Sequence, residues 1–431
     1  MRHSAKITLL TMLFGMASLP SGVSAQGWLG DRGAANGPGF QTGPLTLHMG
    51  FGAEFGYDNN VYLEDTNRND SLLMRLTAHL RATTRQEEDS NPVVVFNGGV
   101  NASFYHFFAD SGRDNVGLGA DVEAHFRPDA KVSFRLADRF TRSIRPFVDG
   151  LSTLRYARDN NTVDAELRFR SQSDILRAFI GYQLGFDFFE DRGPGEFAYA
   201  SSLTHAVRTG VYWAFLPNTG FVYEGQVERV NYGGQSGAGS LVSDAWRVRQ
   251  ELGLNGAITQ AVSVTGMVGY SAGFFDTGAD YGIGRDALTA RLEARFRPRD
   301  NLSLKVGYQR RFNQSFIGNF ARHDRMYLGG QLTLGGAFTT GIDFSATRTV
   351  TGAALAADGT LLDPTRNSRQ AWRLITDIYA EYRATQWMAV TLQLQYLADF
   401  TDFTFTTGAP IVDPSAAYSK FQAWLGLRVF Y

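Results

Sequence analysis

The chain has 431 residues, a formal net charge of −1 and no cysteine. Balanced charge removes any global reason to expect a nucleic-acid partner. The missing thiols exclude disulfide staples, thiolate metal sites, cysteine nucleophiles and a lipoprotein anchor.

The N-terminal stretch MRHSAKITLLTMLFGMASLPSGVSA places Arg2 and Lys6 before an apolar run from Ile7 to about Leu19 and ends on the small residues Val23 and Ala25. That pattern describes a secretory signal peptide. Residues 1–25 are expected to be the signal peptide, residues 26–44 a Gly-rich periplasmic segment, and residues 45–431 one membrane domain. The apolar run is shorter than the ~20 residues a spanning helix needs, and no later run is longer. No linker divides the remainder.

From Leu45 onward the texture has period two. The stretch YDNNVYLEDTNRND, Tyr57 to Asp70, separates the first two alternating segments. Its Asp58, Asn60 and Glu64 are oxygen donors at close spacing, but the glycine turn and terminal Glu of an EF-hand are missing. Two readings stand: a surface calcium site, or a solvated loop turned by Asp and Asn.

Strands are expected to start near Leu45, Ser71, Val93, Asn115, Lys131, Arg155, Ile175, Phe197 and Phe221. The rest start near Val242, Val262, Arg285, Leu302, Arg322, Thr339, Arg369, Met388 and Tyr418. That makes about 18, or 16 if weak segments such as Phe197 to Tyr212 are not strands. In FQAWLGLRVFY, Phe421, Ala423, Leu425, Leu427, Val429 and Tyr431 share one face. MAVTLQLQYLADF repeats the pattern. These dyads outlast the five or six residues of a soluble sandwich strand.

Tight turns follow Phe126, Arg170, Phe215, Ala257, Phe296 and Arg383. They alternate with longer polar connections at Asp58 to Asn69, Gln235 to Leu241, Thr277 to Gly284, Ala353 to Ser368 and Thr404 to Ala417. Unequal ends joined by alternating segments mark an outer-membrane barrel, and only a closed barrel satisfies every strand edge in lipid. The expected fold class is all-β: a transmembrane antiparallel up-and-down β-barrel in the outer membrane of a Gram-negative bacterium. Both termini fall on the periplasmic, short-turn side. Aromatics near the long loops (Tyr57; Phe104, Tyr105, Phe107, Phe108; Phe186, Phe188, Phe189; Phe274, Phe275; Phe400, Phe403) are expected to form an outer girdle.

Charges on the parity opposite the apolar one are expected to line the pore, because an Arg facing lipid at mid-membrane costs ~2–4 kcal/mol. The positive set is Lys131, Arg135, Arg139, Arg168, Arg170, Arg177, Arg247, Arg249, Arg291, Arg295, Lys305, Arg311, Arg373, Arg383 and Arg428. The acidic set is Asp164, Glu166, Asp187, Glu251, Glu293, Asp377, Glu381 and Asp399, so positive groups lead by about two to one. Such a basic lining attracts anions, although Arg and carboxylate groups can also pair to rigidify the lumen. With so many strands the lumen is wide enough for water, unless a loop such as Ala353 to Ser368 folds in.

No catalytic or metal motif of the HExxH or GxSxG kind is present. His106 near Asp110 and His323 beside Asp324 are the remaining acid/base candidates, each more simply read as a girdle or loop histidine. The expectation is no enzyme, no cofactor and no metal.

Two resemblances add to this. Gly426, Val429 and Tyr431 are similar to the C-terminal signal that the outer-membrane assembly machinery reads, although Trp424 stands where a polar residue is usual. FGYDNNVYL, Phe55 to Leu63, resembles the DN-V stretch of the β-barrel porin 2 family of outer-membrane proteins. That resemblance implies polysaccharide export, with a polysaccharide and periplasmic export components as partners beside outer-membrane lipid and lipopolysaccharide. A general diffusion porin, a barrel enzyme and a structural or adhesion barrel are the alternatives.

Overall fold

The computed structural model describes residues 37–66, 68–84, 92–110, 114–143, 158–189, 201–233, 243–276, 286–313, 320–351, 370–401 and 417–431. Residues 1–25, expected to be a signal peptide, and the connections Gln235 to Leu241, Thr277 to Gly284, Ala353 to Ser368 and most of Thr404 to Ala417 lie outside those residues.

A short strand β1 (Phe40–Thr42) precedes eighteen long ones. The first are β2 (Leu45–Asp58), β3 (Ser71–Thr84), β4 (Val94–Phe107), β5 (Asn115–Phe126), β6 (Val132–Ser143) and β7 (Arg158–Arg170). Next come β8 (Leu176–Phe189), β9 (Ser202–Leu216), β10 (Thr219–Asn231), β11 (Ala245–Ala257), β12 (Val262–Phe275) and β13 (Asp286–Arg299). The last are β14 (Leu302–Asn313), β15 (Ala321–Leu334), β16 (Phe338–Thr351), β17 (Gln370–Arg383), β18 (Met388–Phe400) and β19 (Tyr418–Phe430). Each long strand pairs antiparallel with its chain neighbours, and β19 pairs with β2, so the sheet closes on itself. The sixteen-strand alternative fails because β9, the segment it discounted, is hydrogen-bonded along its length to both β8 and β10.

The seam has a specific construction. β19 follows β2 from Gln422 opposite Asp58 down to Phe430 opposite Gly50, and Tyr431 then exchanges backbone bonds with Met49. Where β19 runs out, β1 takes its place, with Phe40 opposite Leu47 and Thr42 opposite Leu45. The reversal between β1 and β2 uses Gly43 at φ 55°, the left-handed conformation a tight hairpin demands and glycine adopts without strain. The stretch 26–44, expected to be a Gly-rich segment, thus contributes a strand.

Faces follow parity. On β2, Met49, Phe51, Phe55 and Tyr57 are exposed, while Gly52, Glu54 and Asp58 between them are buried. Leu288 at 71 % and Leu72 at 63 % exposure typify the outer surface, whereas Glu54, Asp58, Arg75 and Arg428 are at 1–2 %. A soluble protein shows the reverse distribution. The same parity corrects the girdle. Tyr57, Phe104, Phe108, Phe186, Phe188, Phe274 and Phe400 are exposed, but Tyr105 and Phe189 are buried inside, and Phe107 and Phe275 share their inward parity. Adjacent strand residues point to opposite faces, so a run of consecutive aromatics cannot all meet lipid. Phe403 lies outside the described residues.

Candidate functional site

The inward face is a ladder of cross-strand charge pairs. Arg75 donates to Glu54 while its guanidinium lies over the Trp424 ring, 4.5 Å from the centroid. Arg81 meets Asp121 at 2.9 Å, and Arg135 meets Glu123 at 2.8 Å. Glu166 sits among three guanidiniums, those of Arg168 at 2.7 Å, Arg135 at 3.4 Å and Arg208 at 3.8 Å. Further round, Arg247 pairs with Glu228 at 3.1 Å, Arg291 with Glu224 at 3.0 Å, and Lys305 with Asp343 at 3.1 Å. Arg295 pairs with Glu293, and Arg373 with Asp399. Glu381 bridges Arg428 at 2.7 Å and Arg383 at 3.2 Å. Arg158 pairs with Asp187. Lys420 reaches Asp58 at 2.5 Å.

Register places the positive set proposed from sequence on this inward face, apart from Lys131, which precedes β6. The acidic set is inward too, with Asp377 taking the amide of Gln393 at 2.6 Å. Sequence reasoning missed Arg75, Arg81, Arg158, Arg208, Arg325 and Lys420. It also missed the acids Glu54, Asp58, Asp121, Glu123, Glu224, Glu228 and Asp343. With these added, the expected two-to-one excess shrinks. The signal existed: exposed Met326 and Leu328 fix the outward parity of β15, which sends Arg325 inward. Arg322, His323, Asp324 and Arg325 in succession concealed it.

Pairing is uneven around the wall. Among the described residues, Arg139, Arg249, Arg311 and Arg325 have no carboxylate within ion-pair distance. Arg249 donates instead to the neutral Gln226 at 2.9 Å, and Arg325 lies 5.4 Å from the Tyr327 ring centroid. Three of the four gather on β11 to β15. Gln309 stands between Arg291 and Arg325 in one row, and Arg311 occupies the next inward position of β14. Arg249, Arg291 and Arg325 act electrostatically on Arg311, with Glu251 the nearby opposing charge. Guanidiniums cannot shed their charge, so a partly buried cluster short of carboxylates attracts anions from solution.

The acid/base candidates come apart. Asp110 accepts from Tyr62 Oη at 2.8 Å, whereas His106 Nδ1 meets Asp114 at 2.8 Å and its ring packs edge-on against Phe108. His323 faces inward beside Thr349, and Asp324, one residue on, faces outward. Sequence neighbours in a strand cannot form a dyad on one face. His125 Nε2 lies 3.1 Å from Ser133 Oγ, a pair not anticipated. Among the described residues no carboxylate contacts its Nδ1, so the orienting member of a triad is missing there.

The side-chain oxygens of Asp58 and Asn60 are also occupied. Asp58 accepts the backbone amide of Asn60 at 3.0 Å and the Gln422 amide at 2.6 Å, besides Lys420. Asn60 donates to the Glu64 and Ser419 carbonyls, and its own carbonyl takes the Glu64 amide. Asn59 exchanges bonds with Phe421. The Asp58–Asn60 triplet therefore fastens the first loop to the last strand, and of the oxygens proposed for calcium the side-chain oxygens of Asp58 and Asn60 serve protein donors.

A closed sheet leaves no strand edge unpaired, as a bilayer demands, and its apolar outer band with charges inside is the distribution of a barrel set in lipid. This is an outer-membrane β-barrel of a Gram-negative bacterium. No protein-family description matches the chain, and no curated protein matches it. Among solved structures, Acinetobacter baumannii OccAB2 aligns at 8 % identity over 90 % of this chain and 98 % of its own, with a TM-score of 0.46. OccAB4 of the same organism aligns at 11 % identity over 89 % and 98 %, TM-score 0.44. The siderophore receptor PirA of Pseudomonas aeruginosa aligns at 10 % over 89 % and 80 %, TM-score 0.40. Likeness at this level is of barrel to barrel and carries nothing about cargo.

Proposed function

We propose that the barrel is a polar passage across the outer membrane that favours anionic solutes. The observation that carries this reading is the guanidinium cluster of Arg249, Arg291, Arg311 and Arg325 on the inward wall, where only Arg291 has a carboxylate partner. Elsewhere the interior pairs neutralise one another and stiffen the wall. An unneutralised cationic patch in a water-filled lumen raises the local concentration of anions and lowers that of cations. The resemblance of Phe55 to Leu63 to the porin 2 family supports a narrower version, in which the anion is an acidic polysaccharide on its way out. A general diffusion porin fits the same wall.

Planar-bilayer recording in a salt gradient tests the reading. Wild type is expected to show a reversal potential on the anion side. The combined Arg249→Gln, Arg311→Gln and Arg325→Gln variant should move it toward zero without changing the fold. A cation-selective wild type overturns the proposal. Block of the current by acidic oligosaccharides, but not by neutral ones of equal size, would favour the polysaccharide version over the general porin.

A further inference from the structure

Outward-facing charges near the extracellular end are matched around most of the described wall. Arg142 lies 3.0 Å from Asp159. Arg229 faces Asp276 at 2.5 Å and Asp244 at 3.9 Å.

β14 to β16 depart from this. Register sets Arg310, Asp324, Arg348 and Trp372 in one outward row, with Arg322 one outward position higher between Phe312 and Val350. Asp324 is the shared carboxylate: Arg310 Nε is 3.2 Å away, Arg322 Nε 4.0 Å, and Tyr308 Oη donates to it at 2.7 Å. Arg348 donates only to the neutral Gln370, at 3.1 Å. Two guanidiniums therefore share one carboxylate and the third, Arg348, has none within ion-pair distance, a surplus found nowhere else on the described outer rim. Just below on the same face, Met326, Leu328 and Phe344 are exposed, and Trp372 in the Arg row is 47 % exposed. Tryptophan marks the headgroup level, and the apolar residues beneath it mark where acyl chains begin.

We propose that Arg310, Arg322 and Arg348 form a binding site for the phosphate of an outer-leaflet glycolipid, whose acyl chains lie against Met326, Leu328 and Phe344. A phosphate matches the surplus positive charge, and the planar guanidinium forks suit its oxygens in bidentate fashion. The site opens toward lipid rather than toward the lumen, and the apolar wall below adds contact that only a lipid uses. The assignment is independent of what the barrel conducts.

Native mass spectrometry of the detergent-purified full chain titrated with lipopolysaccharide tests it. Wild type is expected to retain the lipid, and Arg310→Gln/Arg348→Gln to hold it about tenfold more weakly, as losing two charge-assisted phosphate contacts implies. Dephosphorylated lipopolysaccharide should bind wild type no better than the variant, and millimolar inorganic phosphate should not displace the intact lipid. Equal binding by the variant, equal binding of the dephosphorylated form, or displacement by inorganic phosphate overturns the proposal. Among the described residues Arg348→Gln alone breaks only the hydrogen bond to Gln370. It should show the wild-type heat-modifiable gel shift and unchanged ion selectivity while still binding the lipid several-fold more weakly. Wild-type lipid affinity in this folded variant counts equally against the site.

Discussion

Glu54 shows how much one interior residue does. Its carboxylate takes Arg75 from β3 and Thr391 from β18, so it spans the seam. Its side chain lies across Gly426, where a Cβ would come within 2.3 Å of Glu54 Cγ. Glycine at 426, noted in the sequence as part of an assembly signal, thus has a packing reason of its own. Arg75 is 1 % exposed and Glu54 2 %, so deleting one charge strands the other away from water. Glu54→Gln is expected to lower unfolding stability by about 3–5 kcal/mol, the usual cost of breaking a buried pair from one side. Glu54→Gln/Arg75→Met should recover part of that. Urea unfolding in vesicles, followed by tryptophan fluorescence, reads both, and a double variant as unstable as the single one would contradict the account.

Two connections show what elements demand of their ends. At the extracellular end of the seam, Asn60 is fully buried and its amide donates to the Glu64 and Ser419 carbonyls. Asn60→Ala leaves those carbonyls unsatisfied and should cost about 1–3 kcal/mol. Hydrogen exchange should then speed up first in the upper amides of β19, and uniform acceleration around the barrel would argue against a local latch. At the opposite end, Asp174 holds φ 58° in the turn between β7 and β8 and is bracketed by Arg177 and Arg170. The hydrogen bond from Arg177, aided by both positive charges, holds its carboxyl below the usual carboxylate range against the opposing effect of burial. A depressed folded pKa means that the contribution is present at neutral pH and fades as pH falls through that lowered value. NMR titration of Asp174 should give a midpoint below that of an ordinary Asp, and Arg177→Gln should raise it. Asp174→Asn, which tolerates the left-handed backbone, should keep the turn and abolish the dependence.

At the scale of the molecule the barrel inverts the usual partition, with leucines outside and ion pairs within. Leu392 and Gln393 are chain neighbours on β18 facing opposite ways, Leu392 outward at 43 % exposure. Leu392→Arg should therefore cost about 2–4 kcal/mol if it lies near the bilayer midplane. Gln393→Arg, beside Asp377 on the inward face, should be close to neutral. The fraction folded into lipid vesicles, read by gel shift, separates them, and equal penalties would mean that the faces are misassigned.

The sequence by itself determined the architecture, because strand length, alternation and unequal ends are local properties that lipid imposes on each hairpin. Most observed strands begin within three residues of where alternation places them. Phe197, the expected start of β9, lies outside the described residues, which give β9 as Ser202–Leu216. The faces of the inward arginines were legible as well, since period two fixes side-chain direction wherever an apolar parity is clean. Tertiary structure alone decided who meets whom. Glu166 among three guanidiniums, Asp58 held by Lys420, and the separation of His323 from Asp324 depend on which strands become neighbours and in what register. Closure of β19 on β2 brings together residues more than 350 positions apart, and no local pattern records such a pairing. The shortage of carboxylates around Arg311 and the outward surplus beside Asp324 are likewise balances struck across strands, invisible to a count along the chain.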